Sequence, residues 1–168
     1  MTSRERAGET RSAASEREIV VSRRIDAPRE AVFQAFTEVR HLSQWWGPDG
    51  FSTTTRSFEF RVDGVWEFSM RGPDGTVYPE WIMWTELTPP ERIVLTHGEH
   101  RDDPDAFESI LTFEPDGDAT RLEMRTVFRT TAQRDEAAEK FGAIEGGRQT
   151  LGSLAAYVDG FVRQEAGA

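Results

Sequence analysis

The run Ile19-Val20-Val21-Ser22-Arg23-Arg24-Ile25 is β-branched and stops at Asp26-Ala27-Pro28, which predicts a first strand. Pro28 stands where a helix tolerates proline, at its first position, with Glu30 in the positive first turn. Val32, Phe33 and Phe36 then form the apolar stripe of a short helix. Thr37 reads as a new N-cap, with Val39, Leu42, Trp45 and Trp46 at helical spacing behind it. The expectation is two short helices in a V.

After Gly47-Pro48-Asp49-Gly50 the period changes to two. Phe58, Phe60 and Val62 alternate with Glu59 and Arg61 until Asp63-Gly64 turns the chain; Trp66, Phe68 and Met70 alternate with Glu67, Ser69 and Arg71 until Gly72-Pro73-Asp74-Gly75. Further strands are predicted at Val77 to Leu87, Arg92 to His97, Phe107 to Glu114 and Thr120 to Arg129. Turn signals this closely spaced favour antiparallel hairpins, so the sheet reads as a meander.

From Thr131 the period returns to about 3.6. Leu151, Leu154, Ala155, Val158, Phe161 and Val162 share one face of this helix. Gly146 and Gly147 interrupt it at a cost of roughly 1 kcal/mol each relative to Ala. They mark a bend or break between two helices, or they leave volume between helix and sheet for a ligand.

The apolar strand faces need a cover, and the only long amphipathic element is the C-terminal helix. Eleven Phe, five Trp and two Tyr are generous for one helix to cover. They fill a core, or a curved sheet holds some of them apart around a cavity. For the second reading the candidate lining is Trp45, Trp46, Phe58, Trp66, Phe68 and Met83, continued by Phe107, Leu111, Met124, Phe128, Leu151 and Leu154. Enclosing about 250 Å² of apolar ligand surface would give on the order of 6 kcal/mol before association costs. Trp81-Ile82-Met83-Trp84 is apolar at both parities, so one face belongs to the interior and the other expects cover from a neighbouring element, from the N-terminal arm or from a second subunit as a homodimer.

Composition removes several classes. No Cys is present, which excludes disulfides and thiolate chemistry. The net charge of -10, with no basic stripe, speaks against nucleic acid as a partner. No apolar run is long enough for a bilayer, and Met1 to Arg17 has no apolar centre that would make a signal peptide, so no membrane partner and a cytoplasmic location are expected. The same polar stretch, residues 1–17, is expected to be a disordered arm ahead of one domain over residues 18–165.

Catalytic motifs are absent: there is no nucleophile elbow, phosphate loop, dinucleotide fingerprint or His-Glu-x-x-His. His97-Gly98-Glu99-His100 with Asp102, Asp103 and Asp105 has a donor set that suits zinc or manganese. It falls at a strand end and loop, where solvated charge is the ordinary reading, so no metal and no cofactor are assigned. Glu80, Glu86 and Arg61 lie on predicted strands; turned into an apolar cavity, such carboxylates would shuttle protons, and turned outward they would be inert.

Several stretches together resemble a known family. These are Asp26-Ala27-Pro28-Arg29-Glu30-Ala31-Val32-Phe33, Trp45-Trp46-Gly47-Pro48, Pro73-Asp74-Gly75 and Glu86-Leu87-Thr88-Pro89-Pro90-Glu91-Arg92-Ile93-Val94. The chain is similar in them to the heat-shock-protein-90 ATPase activator homologues of the START-like (SRPBCC) superfamily. Where that family has an Asp-x-Arg-x-Gly-Gly stretch, this chain has Glu59-Phe60-Arg61-Val62-Asp63-Gly64. The resemblance implies an α+β helix-grip fold, a curved antiparallel sheet with two short helices wrapped around a long C-terminal helix. It implies binding of a small apolar molecule in a cavity between sheet and helix. It leaves open a cyclase- or hydrolase-type enzyme working in that cavity and a chaperone-activator-like interaction domain.

Overall fold

The alternating stretches pair with their sequence neighbours, as short turns require. The computed structural model describes residues 16–167, with side chains as far as Val162, so the arm expected over residues 1–17 falls almost wholly outside the described residues. The strands are β1 (Glu18–Ile25), β2 (Ser52–Phe58), β3 (Val65–Arg71), β4 (Val77–Thr88), β5 (Arg92–Gly98), β6 (Phe107–Asp116) and β7 (Ala119–Val127). The helices are α1 (Arg29–Thr37), α2 (Val39–Trp45), α3 (Thr131–Glu139) and α4 (Ala143–Gly167). All seven strands form one antiparallel sheet in the order β1-β7-β6-β5-β4-β3-β2. The meander β2 to β7 is joined by β1, which returns to pair with the last strand. This is the helix-grip architecture.

Register decides what faces inward, because parity alternates along each strand. Trp66 is opposite Ile82 and Phe68 opposite Glu80; Ile82 is in turn opposite His97 and Trp84 opposite Leu95. Ile93 then meets Leu111, Leu111 meets Met124, and Met124 meets Val21. Leu151, Leu154 and Val158 of α4, with Val32, Phe33 and Phe36 of α1, close over this face in one buried cluster. Each such side chain contributes about 1.5–3 kcal/mol by leaving water.

Three local expectations need correction. Thr37 ends α1 and does not cap α2: its hydroxyl donates to the Gln34 carbonyl at 2.9 Å, and Glu38 occupies the N-cap. The strand expected at Phe58-Phe60-Val62 lies earlier, over the polar run Ser52–Phe58, because an edge strand needs no apolar alternation. Phe60 instead folds across Trp84, with ring centroids 4.9 Å apart. The C-terminal helix breaks at Gly142, where φ is +62°, and Gly146 and Gly147 lie inside the first turns of α4. A β-carbon at Gly142 would disfavour that φ, so glycine marks the break.

The β5–β6 connection is held by one carboxylate. Asp103 accepts from the Glu99 backbone N–H at 2.8 Å and from that of Asp105 at 2.9 Å, and these bonds, Glu99's foremost, hold its pKa below the usual carboxylate value. Asp103→Ala is expected to cost about 1–2 kcal/mol in urea unfolding at neutral pH, since two loop amides lose a charged acceptor. With the folded pKa depressed, the contribution is complete above the unfolded value of 3.8 and is lost as pH falls through the lower folded value. The gap between wild type and variant should therefore close in acid; a gap unchanged in acid would refute this role.

Candidate functional site

The interior is filled at one end and open at the other. At the filled end Trp66 stacks on Phe68 at 3.7 Å, Phe36 and Phe33 meet Phe113, and Phe58 and Phe60 close on Trp84. At the other end a partly open cavity of about 180 Å³ lies between the sheet and the α3–α4 junction. Ile19 and Val21 of β1, Phe107 of β6, and Met124 and Thr126 of β7 with Phe128 form its floor. Ala137, Ala143 and Gly147 form its roof. The roof is made of small residues, and that is why space remains. A β-carbon on Gly147 would come within 3.3 Å of Val21 Cγ2 and 3.4 Å of Met124 Cε, so any longer side chain would occupy the void.

Of the residues expected to line a cavity, Phe107, Met124 and Phe128 surround this one. Leu111, Leu151 and Leu154 are fully buried in the adjoining core, as are Trp45, Trp66 and Phe68. Trp45 donates its ring N–H to the Ala35 carbonyl at 3.1 Å, which ties α2 to α1. Phe58 and Trp46 are half-buried against the same core. Met83 points the other way: it pairs with Val65 and Thr96, between the inward residues Ile82 and Trp84, and so lies on the outer face. Trp81 is on that outer face as well, already buried within the single chain beside Glu99, His100 and Arg101, and its burial does not require a second subunit.

One polar pair stands on the inner wall between the two ends, with Phe68 on one side and Phe107 on the other. Glu80 Oε2 is 2.7 Å from His97 Nε2, and both side chains are largely buried, at 19% and 15% exposure. His97 is the cross-strand neighbour of Phe107, with ring centroids 4.8 Å apart, while Trp46 and Phe68 approach the imidazole at 6.3 and 6.4 Å. At 2.7 Å the Glu80 carboxyl group holds the imidazole ring through Nε2. In the sequence His97 is grouped with Glu99, His100 and Asp103. The fold separates them: His100 is exposed, with Nδ1 2.9 Å from the Arg101 carbonyl oxygen, and Asp103 is engaged by loop amides. Among the described residues no three metal-binding side chains converge. Glu86 pairs with Arg92 at 3.0 Å and Arg61 with Glu59 at 2.8 Å, both outside the interior.

A second polar pair joins helices. His41 Nδ1 is 2.5 Å from the Tyr157 hydroxyl, Nε2 is 3.3 Å from Glu38 Oε2, and burial pushes the Tyr157 pKa up. It borders a wide surface groove of about 730 Å³ between α2 and α4. That groove is larger than the inner cavity but more open to solvent, and its lining is more polar.

Comparison with known proteins agrees with the fold. The family described as Activator of Hsp90 ATPase homolog 1-like protein matches residues 26–159. No curated protein matches the chain. A crystal structure of a protein from Chromobacterium violaceum is 25% identical with a TM-score of 0.73, covering 84% of this chain and 96% of that one. A solution structure from Arthrobacter aurescens is 24% identical with a TM-score of 0.79, covering 87% and 88%. A crystal structure named as an AHSA1 protein, from Silicibacter pomeroyi, is 24% identical with a TM-score of 0.68, covering 84% and 97%.

Proposed function

The chain belongs to the Activator of Hsp90 ATPase homolog 1-like family, and from that premise we propose that it binds a small apolar molecule, one aromatic ring in size, beneath α3 and the start of α4. The observation that carries this reading is the cavity under Gly147. Apolar cavities of about 150 Å³ admit benzene, and this one is somewhat larger. Its roof supports the same reading. Helix α3 carries no buried residue, and Phe141 at its end is 68% exposed, so few apolar contacts oppose its displacement as a guest enters. No helix among the described residues is long and apolar enough to cross a membrane.

Magnitudes limit what apolar contact alone supplies. A single ring buries on the order of 150 Å², or about 4 kcal/mol, which corresponds to only millimolar affinity before association costs are subtracted. A tighter ligand therefore needs a polar anchor as well. Native mass spectrometry of freshly purified protein is expected to show a bound mass below that of a two-ring compound, released on denaturation. Fluorobenzene, followed by ¹⁹F NMR, should show a saturable shift. No bound mass together with a linear, non-saturable response would refute the proposal.

A further inference from the structure

We infer that the ligand carries one uncharged hydrogen-bonding oxygen on its ring, and that the Thr126 hydroxyl of β7 binds that oxygen. This rests on the cavity reading above and names the class of molecule that the cavity takes. The site is an unpartnered hydroxyl in the wall of a ring-sized void whose other lining residues carry no side-chain oxygen or nitrogen.

Three observations converge on it. First, Thr126 is part of the cavity wall itself, on the same inward parity of β7 as Met124. Second, its hydroxyl is free: it makes no hydrogen bond among the described residues. The same holds for Ser109, its cross-strand partner on β6. Of the buried polar residues, His41 meets Tyr157, Asp103 two loop amides and Thr120 the Ala27 carbonyl, and Ser109 alone lacks a hydrogen-bonding partner. Neither hydroxyl is sealed in, for the sealed and unpartnered side-chain atoms among the described residues are His41 Nε2, Trp81 Nε1 and Trp84 Nε1. Both oxygens therefore keep accessible surface. Third, folding alone does not call for them. The register row Leu95, Ser109, Thr126, Ile19 crosses the inner face with an apolar residue at either end. Valine matches threonine in shape, suits a strand as well, and leaves no hydroxyl to desolvate.

The lining also selects the kind of oxygen. No titratable side chain borders the void, so a carboxylate drawn in against Thr126 would lose its water and gain no counter-charge. A hydroxyl or a carbonyl loses far less, and the threonine serves either, since it both donates and accepts. At about 180 Å³ the void holds a single substituted ring, and the flat faces of Phe107 and Phe128 suit an aromatic one. Apolar contact alone stops at millimolar affinity, and one hydrogen bond to Thr126 raises it about fivefold.

The test compares 4-fluorophenol, fluorobenzene and 4-fluorobenzoate by ¹⁹F NMR titration of the full chain. Wild type should bind the phenol about fivefold more tightly than fluorobenzene, and the benzoate more weakly than either. Thr126→Val should bind the phenol and fluorobenzene equally, with fluorobenzene affinity retained. Near-ultraviolet circular dichroism checks that the variant is folded; the three-probe ranking needs wild type alone and decides the matter if it is not. Equal binding of phenol and fluorobenzene by wild type, or tightest binding of the benzoate, would overturn this inference and leave the cavity reading standing. A preference for the phenol that survives Thr126→Val, or that is lost only in Ser109→Ala, would overturn it as well. Binding of none of the probes would remove the cavity reading, and this inference with it.

Discussion

Gly147→Leu is expected to abolish fluorobenzene binding while leaving the protein folded. The glycine stands over the void with its missing side chain directed at Val21 and Met124. A β-carbon there already touches both neighbours at 3.3–3.4 Å, which is tight but tolerable because a Met thioether swings aside readily. The remaining leucine carbons have only the cavity to occupy. Replacing glycine inside a helix also gains roughly 0.8 kcal/mol of helix propensity, which offsets much of the crowding. Thermal unfolding should thus move by no more than a few degrees, whereas the saturable ¹⁹F shift should vanish. Retained binding would place the guest elsewhere, and the surface groove beside Tyr157 would become the next candidate.

What the sequence reveals of this arrangement depends on whether the signal is local. Strands β3 to β7 are legible because each is a β-rich run bounded by its own turn, as at Gly72-Pro73-Asp74-Gly75. Strand β2 is not, since an edge built of Ser, Thr and Arg has no apolar period to read. The helix break illustrates the same limit: two consecutive glycines suggest it, yet the left-handed residue is Gly142, and Gly147 is needed for space instead. Asp63 is a similar case. It adopts φ +66°, a conformation that favours glycine, at the position where the family stretch has one.

The candidate site is half visible in the sequence. Phe107, Met124 and Phe128 follow from strand parity and from the need for a cover. The partnership of Glu80 with His97 does not, because it depends on the β4–β5 register that places Ile82 opposite His97. A run such as Trp81-Ile82-Met83-Trp84, apolar at both parities, conceals which side is inward, and the parity of Glu80 and Met83 is concealed with it. Once the register is known, one moves in and the other out.

The filled end of the interior should behave oppositely to the open one. Trp66→Ala is expected to cost about 3–5 kcal/mol, lowering the melting temperature by on the order of 10 °C, because a fully buried indole leaves a cavity that the sheet cannot collapse. Against a total stability of about 5–15 kcal/mol this approaches unfolding. The more discriminating comparison is with phenylalanine. Trp66 donates its ring N–H to Thr55 Oγ1 at 3.0 Å, whereas Trp84, equally buried, has a ring N–H with no partner. Trp66→Phe loses volume and a hydrogen bond and should cost about 2 kcal/mol in urea unfolding. Trp84→Phe loses similar volume but relieves an unpaired donor worth about 1–3 kcal/mol, so its net change should lie within about 1 kcal/mol of zero. Equal losses at the two positions would mean that the indole nitrogens are irrelevant and that volume alone sets the stability of this end.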